Sequence, residues 1–165
     1  MSQKDFVASG IKVKQSGVFN LDDLYLLMYK WFELYGYDFQ EQEYRDIDQA
    51  GKKNLEIRWY AEKKIDDYIK YVMKISMMIV GMEKVEIETE EGKQKTSKGT
   101  AEFRFDAFLE KDYEGRWEGG AMKFLREVYD KFIIRGRIES LEGELKAELY
   151  KFMDEVKAFL NMHRF

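Results

Sequence analysis

Five stretches of this chain, at 37–47, 53–65, 69–79, 85–91 and 101–109, carry their apolar side chains at odd-numbered positions. Successive side chains of a strand point to opposite faces, so a shared parity predicts one shared buried face once the stretches pair as hairpins. Leu55, Ile57, Trp59 and Ala61 form that face in one stretch, and Met73, Ile75, Met77 and Ile79 form it in the next. Phe39, Val85, Ile87, Phe103 and Phe105 complete it. Register follows from the same rule. A three-residue loop at Asp66, Asp67 and Tyr68 sets Ala61 beside Met73, Trp59 beside Ile75 and Ile57 beside Met77. A two-residue loop would set Trp59 beside Lys74 and mix the faces, so the longer loop is expected. A turn around Gly81 would then pair Ile79 with Val85 and Met77 with Ile87, and one through 92–99 would pair Val85 with Phe105.

Helical patterns flank the meander. Residues 6–15 predict a further strand, with Ile11 and Val13 on one face. Asn20 is placed to cap a helix over 20–35, with Asp22 and Asp23 in the first turn and Gly36 as the stop. Leu24, Met28, Trp31 and Phe32 lie on its stripe, while Leu26, Leu27, Tyr29 and Leu34 make it apolar nearly all round, so cover on more than one side is expected. Near the end, 120–135 places Leu125, Val128, Tyr129 and Phe132 on one helical face. After Gly136, 140–163 repeats Leu141, Leu145, Leu149, Phe152, Val156 and Leu160 at spacings of three and four. The expected fold class is α+β: an antiparallel β-meander of about six strands packed on one face by an N-terminal helix and C-terminal helices, in one domain over 1–165. This order of elements resembles the helix-grip arrangement of the START-like superfamily, in which a curved sheet wraps a long C-terminal helix. The resemblance implies either an apolar ligand held between sheet and helix or a protein-binding adaptor.

Composition narrows the function classes. An apolar fraction of 45% with 16% aromatic residues supplies a core and excludes a disordered chain. A net charge of −4 argues against nucleic acid as a main partner. With no cysteine, disulfides, thiol catalysis and thiolate metal sites are excluded, which fits a reducing cytoplasm. The start of the chain lacks the apolar core of a secretion signal. The apolar run 72–82 is too short to span a membrane and contains Lys74, so a soluble cytoplasmic protein is expected.

Charges within the odd face give the first candidate site. Glu41, Glu43 and Arg45 lie between Phe39 and Ile47, with Glu41 expected opposite Trp59, Glu43 opposite Ile57, and Lys63 near Tyr37 and Tyr71. They form either a charged sheet edge or the polar end of a cavity. In the cavity reading Glu41, Glu43, Arg45, Trp59, Lys63 and Tyr71 bind an amphiphilic ligand through its head group. A nucleophile–base pairing is lacking, so no catalytic residue and no cofactor are expected. His163, the sole histidine, does not suggest a metal. Met78, Val80 and Met82 form an outward apolar end of one strand, and Arg116 with Trp117 sits on a glycine-rich connection that either plugs the core or binds a partner. The function expected is a non-enzymatic binding module that holds an apolar or amphiphilic ligand or peptide between the sheet and the helices. The alternative is an assembly protein that self-associates, as a homodimer, through helix 20–35 and the 78–82 patch.

Overall fold

A computed structural model describes residues 3–117 and 119–162 of the chain. Strand β1 (Gln3–Phe19) leads into helix α1 (Leu21–Leu34), followed by β2 (Asp38–Gln49), β3 (Lys52–Lys64), β4 (Ile69–Thr89) and β5 (Gly92–Lys111). The sheet is antiparallel, in the order β1-β5-β4-β3-β2, so the first strand closes against the last. Helix α2 (Gly120–Val128), a π-helical turn (Tyr129–Ile133) and the long helix α3 (Arg135–Met162) end the described chain.

The odd face of β3, β4 and β5 is the inner one. Leu55, Ile57, Trp59, Ala61, Met73, Ile75, Met77, Ile79, Phe103 and Phe105 are all buried, and Ala61–Met73, Trp59–Ile75 and Ile57–Met77 pair as the three-residue loop requires. Both long helices cover this face. Asn20 caps α1 by accepting from the N–H of Asp22 at 2.8 Å and Asp23 at 3.3 Å. From α1, Tyr25 meets Trp59 edge-on at 5.5 Å and Phe32 stacks on Phe39 at 5.4 Å. From α3, Phe152 reaches Trp31 at 4.9 Å, Phe32 at 4.7 Å and Phe105 at 5.9 Å. Leu145, Leu149, Val156 and Leu160 continue that buried stripe. Aromatic and aliphatic side chains thus fill the layer between helices and sheet.

There are five strands rather than six, because 69–79 and 85–89 belong to one continuous strand. Gly81 is a bulge, not a turn. Its φ of +66° is a conformation that side-chain-bearing residues rarely adopt, and across it Val80↔Thr100 gives way to Glu83↔Lys98. The Gly81 N–H, displaced from the ladder, donates to Asn54 Oδ1 at 2.9 Å. Gly99 stands opposite, where a Cβ would lie 3.3 Å from Ile79 Cγ2 and from the Met82 Cα. One extra residue reverses the faces beyond it. Val85 pairs with Thr96 and Ile87 with Gln94, so neither joins the inner core, and the expected pairs Ile79–Val85, Met77–Ile87 and Val85–Phe105 do not form. The turn comes at Glu90 and Glu91, and Glu86 and Glu88 stand opposite Lys95 and Lys93. The last helix also begins earlier than expected. Ile134 ends the π turn, and Gly136 lies inside the first turn of α3.

Candidate binding surface

The six residues expected to line a cavity separate into three places. A second bulge, between Glu41 and Glu43, turns β2 over. Glu41 faces Trp59 as expected and accepts from the Tyr25 hydroxyl at 3.1 Å. Glu43 pairs with Arg58 instead of Ile57, and Arg45 pairs with Glu56, so both stand on the outer face. There Glu43 joins Arg45 at 2.7 Å and Arg58 at 3.3 Å in an exposed network. Such pairs contribute little to stability. Trp59 is packed between Tyr25 and Phe39, its indole N–H buried without a hydrogen-bond partner.

Lys63 and Tyr71 lie in the third place, with Tyr37, expected near Lys63, and with Glu148, which sequence reasoning missed. The Lys63 ammonium binds both Glu148 oxygens, at 2.8 and 3.1 Å, and lies over the rings of Tyr37 at 4.8 Å and Tyr71 at 5.4 Å. The Tyr37 hydroxyl donates to Glu148 at 2.5 Å. Burial raises the Tyr37 pKa far above its usual value, and the hydrogen bond to Glu148 adds to the rise. Tyr37 therefore stays protonated and acts as a donor. This group joins β3, β4 and the residue before β2 to α3, and its geometry is that of a partly buried, hydrogen-bonded ion pair.

The outer sheet face is only partly apolar. Met78 and Val80 are exposed on it, whereas Met82 lies beyond the Gly81 bulge and packs against the core, which removes it from the expected patch. A shallow groove of about 310 Å³ beside Met78 is lined by Glu56, Arg58, Ser76, Glu102 and Arg104. Phe108 is buried on the same face under Phe6, with ring centroids 4.9 Å apart.

A group of uncovered apolar side chains follows β5, and Asp112 organises it. Asp112 is buried with φ +53°, a region aspartate tolerates better than most residues. Its N–H donates to the Tyr68 carbonyl at 2.7 Å. Its carboxylate accepts from the N–H of Arg116 at 2.9 Å and of Trp117 at 3.2 Å, and from the Arg126 guanidinium at 3.3 Å. Trp117 stacks on Tyr129 at 5.5 Å and meets Tyr68 at 6.0 Å, two tyrosines that pack against the core, while Arg116 is exposed beside Glu114 at 2.5 Å. Asp130 accepts from the Tyr68 hydroxyl at 2.7 Å and pairs at 3.3 Å with the buried Lys111, which also holds Asp5 at 2.9 Å. Burial first, then the hydrogen bond to Asp130, pushes the Tyr68 pKa well up.

These contacts seat the polar and aromatic side of 112–134 on the body of the protein and turn the apolar side outward. Phe124, Phe132 and Ile133 are 66%, 71% and 68% exposed, with Met122 and Leu125 beside them. Of the stripe Leu125, Val128, Tyr129 and Phe132, Leu125 and Phe132 face water, whereas Val128 is half-buried and Tyr129 packs against the core. The sequence signal was present in the amphipathic pattern and the flanking Gly119, Gly120 and Gly136, but periodicity carries no information about which face turns inward. Among the described residues no cluster of histidine or carboxylate side chains has a metal-binding arrangement, and His163 lies outside those residues. No helix among them is long and apolar enough to cross a membrane. Comparison with known protein families, curated proteins and solved structures finds no match to this chain.

Proposed function

We propose that this protein is a non-enzymatic binding module that engages an apolar or amphiphilic partner through the outward face of α2 and the π turn. One observation carries the reading. Arg126 and Asp130 are held inward by Asp112, Tyr68 and Lys111, which leaves Met122, Phe124, Leu125, Phe132 and Ile133 uncovered. Contiguous apolar surface held in water is unfavourable unless something covers it, and such patches mark interaction sites. The filled layer between helices and sheet favours a partner at this surface over a ligand held inside. The strand order, with β1 beside β5 and α3 across the inner face, supports the helix-grip reading and the adaptor role within it. The lack of cysteine supports a cytoplasmic setting.

Self-association is the second reading. It is favoured by Leu26, Tyr29 and Leu34, which α1 leaves exposed, and a homodimer through that face would cover them. Native mass spectrometry of protein purified from its own host separates the two. Added mass on the chain that disappears in a Phe124→Ser/Phe132→Ser variant supports the module, and multiples of 19.8 kDa support assembly. A bare monomer from soluble and membrane extracts alike rejects both.

A further inference from the structure

Resting on the reading of this face as the binding surface, we infer that its partner is an anionic lipid bilayer surface. Charge selects the partner. Segment 119–137 carries Lys123, Arg126, Lys131, Arg135 and Arg137 against Glu127 and Asp130, a net of +3 within a chain of −4, and of these bases Arg126, Arg135 and Arg137 pair with Asp112, Glu139 and Asp66. Arg126 and Asp130 are engaged inward with Asp112 and Lys111, which leaves Lys123 and Lys131 exposed beside the protruding phenylalanines. An apolar face flanked by bases is the arrangement by which short amphipathic helices lie in the headgroup region of anionic membranes. A second copy of the chain fits less well. A two-fold contact sets a patch against itself, and here it would bring the exposed bases of both copies into one interface. A rigid protein groove would need a hole for each protruding side chain. A bilayer accepts Phe124, Leu125, Phe132 and Ile133 without matching their shape. Gln3, Lys111, Glu127, Asp130, Lys131 and Arg135 line a cleft of about 280 Å³ at the inner margin of the segment, which gives the seated helix a polar border.

The test is co-sedimentation of the full chain with vesicles of phosphatidylcholine alone and with phosphatidylglycerol added. The native chain should sediment with the mixed vesicles at least tenfold more than with the neutral ones. Raising salt from about 0.1 M to about 1 M, which shortens the screening length from roughly 10 Å to 3 Å, should release most of it. Phe124→Ser/Phe132→Ser should lose binding at least tenfold, and Lys123→Glu/Lys131→Glu severalfold, with unchanged melting in each. If either phenylalanine change lowers the melting temperature, Leu125→Ser/Ile133→Ser replaces it. Equal binding to neutral vesicles, binding that survives the phenylalanine changes, or no binding at all overturns the lipid assignment. So does a dimer that the phenylalanine changes convert to monomer. If vesicles take no protein while Phe124→Ser/Phe132→Ser still abolishes the added mass in the native spectrum, the binding surface stands and only its lipid partner falls. If neither responds, both fall.

Discussion

Asp66 shows how one side chain ties a turn to a distant helix. Its carboxylate accepts from the N–H of Ile69 at 2.7 Å and of Tyr68 at 2.8 Å, and pairs with Arg137 of α3 at 2.7 Å. Burial alone would raise its pKa, but these donors and the Arg137 charge outweigh it and hold the carboxyl below its usual value. A carboxyl depressed on folding adds stability above its unfolded pKa and loses it as pH falls through the folded value. Melting of the native chain should therefore converge on that of Asp66→Asn as pH falls from about 5 to about 2, with the native chain the more stable above that window. Parallel loss in both proteins would show that Asp66 carries no such linkage. At the same scale, Ile57→Asp and Met77→Asp each bury an unpaired charge in one core layer and should cost more than about 4 kcal/mol. Ser76→Asp, on the outer face between these strands, should stay within about 0.5 kcal/mol. Similar denaturation midpoints for Met77→Asp and Ser76→Asp would contradict the face assignment.

At the scale of elements, bulges decide which residues face inward. Gly81 is held by its own conformation, by Asn54 from β3 and by the close approach of Gly99. A Cβ on Gly81 meets open space, so Gly81→Ala tests backbone strain alone and should cost about 1–2 kcal/mol. Asn54→Ala leaves the Gly81 N–H without its acceptor and should cost about 1 kcal/mol. Chemical denaturation with an unchanged slope would check both. If neither change moves the midpoint, the bulge does not depend on these groups. The connection after β5 depends similarly on Asp112. Asp112→Ala removes the acceptor shared by Arg116, Trp117 and Arg126 and should speed hydrogen exchange of the 119–133 amides tenfold or more, about 1.4 kcal/mol of local stability. Amides of β3 and β4 should be unaffected, and a uniform change across the sheet would argue for global destabilisation instead.

On the scale of the whole molecule, the core and the outward segment are energetically separate. The core is built where α1 and α3 meet the inner sheet face, α2 contributes no buried side chain, and the segment after it joins the core at Tyr129 and Ile134. Leu145→Ala, made in that core, should cost about 2–5 kcal/mol. Phe124→Ser/Phe132→Ser should cost less than about 0.5 kcal/mol, because both rings already stand in water. A large loss of melting temperature in this double variant and in Leu125→Ser/Ile133→Ser alike would mean that the segment folds back onto the body in solution, and it would remove the proposed surface.

Parity fixed the inner face of β3, β4 and β5 and the register of the β3–β4 hairpin, because burial of one sheet face leaves a period of two that a sequence can display. The cap at Asn20 and the buried stripe of α3 were legible for the same reason, being local in chain and chemistry. Glu43, Arg45, Val85, Ile87 and Met82 were misplaced because a bulge inserts a single residue and reverses every position beyond it. Whether Gly81 makes a bulge or a turn depends on Asn54 and Gly99, which lie on other strands. The Lys63–Glu148 pair joins positions 85 residues apart, and the direction in which α2 faces is set by Asp112, Tyr68 and Lys111. Those outcomes are settled by contacts between distant parts of the chain, which an amphipathic pattern records as two faces without saying which one meets the protein.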